Sequence, residues 1–216
     1  MLKADLHIHT YCSMDCNTPL QDIINRCLEL GINCIAIADH GTTEGAIKMQ
    51  GIAPFHVIVA QEILTPHGEL IGMFLKETVP GGLTVEQAIS RVKAQGALIG
   101  VPHPFDAFGR VGLGEKIVKE IADELDFIEV FNSRSPLLST STKAQAFARE
   151  HAIPGSAGSD AHSKSEIGST YIEMPEFNGK DEFLQSLARG KIFGCKANPL
   201  VHFGSLWAKI KRFPKR

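Results

Sequence analysis

Tryptophan and tyrosine are scarce in this chain. One Trp and two Tyr in 216 residues offer little of the aromatic platform on which a single strand of nucleic acid stacks. An excess of one charge is missing too. With 22 Lys and Arg against 24 Asp and Glu, the formal net charge is −2, which exerts no overall pull on nucleic acid or an anionic membrane. No apolar run reaches spanning length, and no N-terminal stretch has the basic, apolar and cleavage-site layout of a secretion signal. The five cysteines (Cys12, Cys16, Cys27, Cys34, Cys195) form no regular framework, so a reducing cytoplasm is the expected compartment. Cys12 and Cys16 lack the second pair that a four-thiolate zinc site needs. Neither a Gly-x-Ser-x-Gly elbow nor a Walker-type glycine loop occurs, which argues against serine-nucleophile and P-loop chemistry.

What the chain does have is a regular alternation of apolar runs and helical patterns. The runs predict strands over Leu2–His7, Cys34–Ala38, His56–Ile63, Glu69–Leu75, Ala97–Val101, Phe127–Phe131, Gly155–Ala157 and Thr170–Met174. Between them, Thr18-Pro19 opens a helix that Gly31 closes, and Thr84 to Gln87 has capping-box spacing. Ser139–His151 and Gly179–Arg189 also read as helices, and "TPHGE" at 65–69 reads as a hairpin turn. No linker or repeat divides the chain. This order argues for an α/β fold with a mainly parallel sheet or barrel.

Near the start stands "ADLHIHT", residues 4–10. Strand alternation places Asp5, His7 and His9 on one face, either as an exposed strand end or as half of a metal site. The remaining strand ends bear on that choice. Asp39 and His40 close the second strand, Glu62 the third, and His103 follows the fifth. Glu129 and Asn132 close the sixth, and Asp160 and His162 follow the seventh. In a barrel these ends meet on one rim, where active sites are built. Imidazole and carboxylate without thiolate suit zinc, manganese or iron. A carboxylate such as Glu62 can bridge two ions roughly 3.5–4 Å apart. Asp5 and Asp39 are expected to support the site, Glu44 and Glu69 to be solvated or supporting, and His56, His151 and His202 to be structural.

Four motifs in order, "DLHIHT", "IADH", "PHP" and "GSDAH", resemble those of the PHP (polymerase and histidinol phosphatase) domain, in its stand-alone metal-dependent phosphoesterase form. The resemblance runs from about Lys3 to Met174 and on toward residue 200. It implies a distorted (β/α)7 barrel over 1–200, with two to three divalent ions (Mn, Zn or Fe). It assigns His7, His9, Glu62 and Asp160 to the first ion, Glu62 and His103 to the second, and Asp15, His40 and His162 to the third. Two places depart from the pattern. Many members read Ser-Asp-Gly where this chain reads Ser13-Met14-Asp15. The second ion's further histidine has His67, in the hairpin turn, as its only candidate.

The expected chemistry is attack of a metal-bound hydroxide on a phosphate ester of a small molecule or nucleotide. Glu62, Asp160 and His162 form the catalytic set, with His162 or a metal-bound water as the acid. Arg134, Arg110, Lys164 and Asn132 are the candidates for holding substrate. The tail, residues 201–216, is a basic amphipathic segment carrying Trp207, Lys209, Lys211 and Arg212. It suits docking on the barrel, a membrane surface or nucleic acid. A 3′–5′ exonuclease or end-processing enzyme is therefore the alternative function, and a non-catalytic metal-binding scaffold the second.

Overall fold

In a computed structural model, residues 1–106 and 112–196 are described. Arg110 and the 201–216 tail lie outside them. The elements follow the predicted alternation: β1 (Leu2–Ile8), α1 (Leu20–Leu30), β2 (Cys34–Ile37), α2 (Glu44–Ile52), β3 (His56–Thr65) and β4 (Gly68–Met73). Then come α3 (Val85–Ala94), β5 (Leu98–Val101), α4 (Gly114–Glu120), β6 (Phe127–Asn132) and α5 (Leu138–Glu150). The order ends with β7 (Gly155–Gly158), β8 (Thr170–Met174), α6 (Lys180–Ala188) and β9 (Lys191–Gly194). β9 has no counterpart in the sequence reading.

Local chemistry explains the helix ends. Gly31 takes the left-handed conformation (φ 67°) and its N–H reaches the carbonyls of α1's last turn. Thr84 and Gln87 form a reciprocal capping box on α3. Thr18 does not cap α1. Its hydroxyl donates instead to the His162 carbonyl at 3.0 Å, which ties the head of α1 to the loop after β7.

The strands run β7-β6-β5-β4-β3-β2-β1-β8-β9 and form a nearly closed barrel. The sheet is less parallel than the alternation suggests. β1-β2-β3 and β5-β6-β7 are parallel, while β4 runs antiparallel between β3 and β5, and β8 antiparallel between β1 and β9. For β3 and β4 the reason is connection length. Pro66-His67 is a two-residue turn, whereas a parallel crossover needs a dozen residues or more. Closure comes at the rim, where Ala161 bridges to Ile8 and the Asp160 N–H donates to the His7 carbonyl at 2.7 Å. Gly158 permits it, since a Cβ there would lie 2.3 Å from that of His7. Leu6, Ala36, Ile58, Met73 and Phe127 fill the interior together with Phe183 and Leu187 of α6. The helices cover the outer face through Ile23, Val92, Phe147 and their neighbours. Among the described residues, no helix is long and apolar enough to cross a membrane, and all five cysteines are free.

Candidate metal centre

β1 shows how the site is aimed. Its pairing with β2 slips by one residue between Asp5 and Ile8. Before the bulge Ala4 and Leu6 face the barrel interior; after it Ile8 joins the outer layer. His7 and His9 therefore turn inward at the rim, as bulges beside active sites commonly arrange. The expectation that Asp5 shares their face is corrected by this slip. Asp5 accepts instead from the N–H groups of Ser159 at 2.9 Å, Gly168 at 3.0 Å and His7 at 3.4 Å. It is fully buried, and burial pushes its carboxyl up to about 6 against the pull of those donors. Asp5→Ala would strand three buried donors at about 1–3 kcal/mol each. The expected loss is about 3 kcal/mol or more, read as a lower thermal midpoint; an unchanged midpoint would contradict this account.

The inward histidines meet two carboxylates. His9 Nε2 lies 3.2 Å from His7 Nε2, 3.3 Å from Glu62 Oε2 and 3.3 Å from Asp160 Oδ1. His7 Nε2 lies 3.3 Å from Glu62 Oε1 and 3.8 Å from Asp160 Oδ1. Each of the four residues is at most 2% exposed. Two imidazole nitrogens facing each other across 3.2 Å, beside two buried carboxylates, need positive charge between them. Donors that share an ion at about 2.0–2.2 Å necessarily stand about 3–3.5 Å apart. The donor set thus fits a divalent ion held by His7, His9, Glu62 and Asp160.

Glu62 extends the cluster. Its Oε1 is 3.0 Å from His103 Nε2, and its Oε2 is 3.5 Å from His40 Nδ1. On the far side of His40 and His9, Asp15 Oδ2 stands 3.3 Å from His40 Nε2 and 3.2 Å from His162 Nε2. Among the described residues, three donor groups have ligand atoms within 4.8 Å of one another: His7, His9 and Glu62; His9, Asp15, His40 and His162; and His40, Glu62 and Glu69. His103 (φ 27°) and Asp160 (φ 55°) both hold a backbone conformation that non-glycine residues rarely adopt, the kind of strain kept where function requires it.

A ring of further residues orients these groups. Glu129 accepts from His7 Nδ1 at 3.1 Å and from the His103 N–H at 2.8 Å. Asn132 Nδ2 donates to Glu129 at 2.9 Å and to Asp160 Oδ2 at 3.1 Å. The His162 Nδ1–H donates to the Asp160 carbonyl at 2.8 Å, leaving Nε2 toward Asp15. Burial alone would push the His9 imidazole toward neutrality, but Asp160 and Glu62 reverse it and raise it to about 10. His7 is raised well above the ordinary range by Glu62, Asp160 and Glu129 despite burial, and His40 is raised by Glu62 and Asp15. Against burial, the imidazoles around them hold Glu62 and Asp15 well below the usual carboxylate range. His162 is the exception. Burial, together with the charges of His9 and Arg134, lowers it to about 3, so it is neutral.

The structure brings together His7, His9, Asp15, His40, Glu62, His103, Asp160 and His162, with Asn132 among them. Arg134 is close by, 2% exposed, with Nη1 3.5 Å from the Asp160 carbonyl and Nε 3.5 Å from Glu166. Two candidates are placed elsewhere. His67 sits exposed at the hairpin tip, along a surface groove with Glu86 and Lys93 of α3. Lys164 pairs with Glu29 on the surface at 3.6 Å. Glu69 reaches the centre instead, with its oxygens 3.6 Å from His40 Nδ1 and 3.6 Å from His103 Nε2. The signal for it was in the hairpin: a turn at Pro66-His67 pairs Glu62 with Ile71, and Glu69, two residues before Ile71, shares their face. Glu166, which holds Arg134, carried no such signal.

Comparison with known proteins points to one family. Residues 5–67 match the PHP domain model and residues 140–192 the PHP-associated model. The uncharacterized protein MJ0417 of Methanocaldococcus jannaschii is 36% identical, over 96% of this chain and 92% of its own. A solved two-domain protein of Bacteroides vulgatus, containing a predicted PHP-like metal-dependent phosphoesterase, superposes with a TM-score of 0.72 at 16% identity. That match covers 90% of this chain, which spans 65% of the Bacteroides chain. PsfC of Pseudomonas syringae superposes with a TM-score of 0.69 at 14% identity, over 97% of this chain and 98% of its own. Motifs, barrel and the relative matched along nearly its whole length converge, and the chain belongs to the PHP domain family.

Proposed function

We propose that this protein is a metal-dependent phosphoesterase that hydrolyses the phosphate ester of a small molecule or nucleotide. The observation that carries the reading is the shared-donor cluster, in which Glu62 faces four imidazoles and so can serve two ions at once. Divalent ions held by His7, His9, Glu62, Asp160, His103, Asp15, His40 and His162 would supply water activation and neutralise phosphoryl oxygens.

The chain's own groups do the rest. Glu129 accepts a hydrogen bond from His7 Nδ1–H and the Asp160 carbonyl one from His162 Nδ1–H, so each ring keeps Nε2 for an ion. His162, neutral and aimed at Asp15, acts as a ligand in this scheme rather than as the acid. Asn132 clamps Glu129 and Asp160 in one geometry. Arg134, braced by Glu166, puts a guanidinium beside Asp160, where its positive charge would favour a phosphate dianion. Asn132→Ala is expected to lower kcat by about 10–100-fold, the usual cost of losing a group that orients ligands, with KM for the ester little changed. An equal rise in KM would instead make Asn132 a substrate contact.

Elemental analysis beside hydrolysis of an aryl phosphate and a nucleotide panel, with added manganese, zinc or iron, tests the proposal. Two to three ions and metal-dependent phosphate release are expected. Ions bound without release from any member would favour a scaffold, and release confined to oligonucleotide ends would favour the nucleic-acid reading.

A further inference from the structure

We infer that Glu69 is a ligand of the second ion and that its carboxylate biases this position toward manganese over zinc, an inference that rests on the metal centre proposed above. Glu69 and Glu62 form a box with two imidazoles. Glu62 places its oxygens 3.0 Å from His103 Nε2 and 3.5 Å from His40 Nδ1, and Glu69 faces the same two nitrogens at 3.6 Å each. The donor atoms of His40, Glu62 and Glu69 lie within 4.8 Å of one another.

The backbone dictates this arrangement. β4 runs antiparallel, so its first residues lie at the rim where the parallel strands end. The Glu62–Ile71 and Leu64–Glu69 pairs put both carboxylates on the inner face. The Glu69 side chain is 13% exposed against 2% for Glu62, so it closes the side of the box nearer solvent. Two carboxylates flanking one position make it oxygen-rich. Carboxylate oxygen suits manganese and other hard ions, whereas imidazole nitrogen favours zinc. A nitrogen donor in place of Glu69 would remove that bias.

The test reads metal content and affinity, not turnover. Wild type, Glu69→Gln and Glu69→His would be loaded from an equimolar mixture of manganese and zinc, analysed for both elements, and titrated with manganese by electron paramagnetic resonance. Glu69→Gln is expected to weaken one manganese equivalent by about 10–100-fold and leave the others in place. Glu69→His is expected to keep the stoichiometry and move the zinc-to-manganese ratio at one position about tenfold or more toward zinc. Circular dichroism melts would show both variants folded, since the change lies at the partly open end of β4. Variants that bind the same number of ions, in the same ratio and with the same affinity as wild type, would overturn the inference. Wild type that holds its ions but hydrolyses nothing would overturn the proposed activity and leave this assignment standing.

Discussion

Glu62→Gln is expected to lower metal-dependent phosphate release by about a thousandfold while the barrel stays folded. Glu62 Oε1 faces His7 and His103, and Oε2 faces His9 and His40, so one carboxylate stands between the proposed first and second ion positions. Gln keeps the shape but offers one carbonyl oxygen and no charge. An ion's share in stabilising phosphoryl-transfer charge is several kcal/mol, and losing about 4 kcal/mol corresponds to about a thousandfold in rate. The measurement is initial-rate hydrolysis at saturating manganese, beside elemental analysis and a thermal melt. Wild-type turnover in a variant that has lost an ion would rule out catalysis by an ion pair.

The second large effect is on stability. Loading with manganese at a thousandfold excess over Kd should add about 4 kcal/mol, on the order of 10 °C in Tm for a chain of this size. The gain should depend on pH in a defined direction. Without an ion, the cluster's carboxylates are balanced by protonated imidazoles. The pKa of His9 is raised from 6.5 to about 10 in the folded protein, so its contribution is complete below pH 6.5 and lost as pH rises through 10. His7 is raised in the same sense. An ion replaces these protons, and loaded protein does not lose them again as pH rises. The manganese-induced gain in Tm is therefore expected to be larger at pH 8.5 than at pH 6. Differential scanning calorimetry with and without chelator at both values measures it. A gain equal at both pH values, or larger at pH 6, would show that the imidazoles do not hold the balancing charge.

Much of this was readable along the chain because the signals are local. Apolar periodicity marked β1 to β8, turn chemistry placed Gly31 and the Thr84 capping box, and the Pro66-His67 turn announced the hairpin. The phase of His7, His40, Glu62, His103, Asp160 and His162 at successive strand ends pointed to one rim. The even split between parallel and antiparallel pairing, and β9, escaped because partner choice depends on where distant strands lie. The one-residue slip in β1 parted Asp5 from His7 and His9 and Ile8 from Leu6, and no composition signal marks a bulge. His67 was the natural histidine to favour, yet the hairpin turns it outward and brings Glu69 to the centre. Arg134 and Glu166 are 32 positions apart, and only the fold makes them a buried pair. Period and turn type are properties of a few neighbouring residues, so the chain states them directly. Which side chains share an ion depends on register and closure, set by packing among segments more than a hundred residues apart.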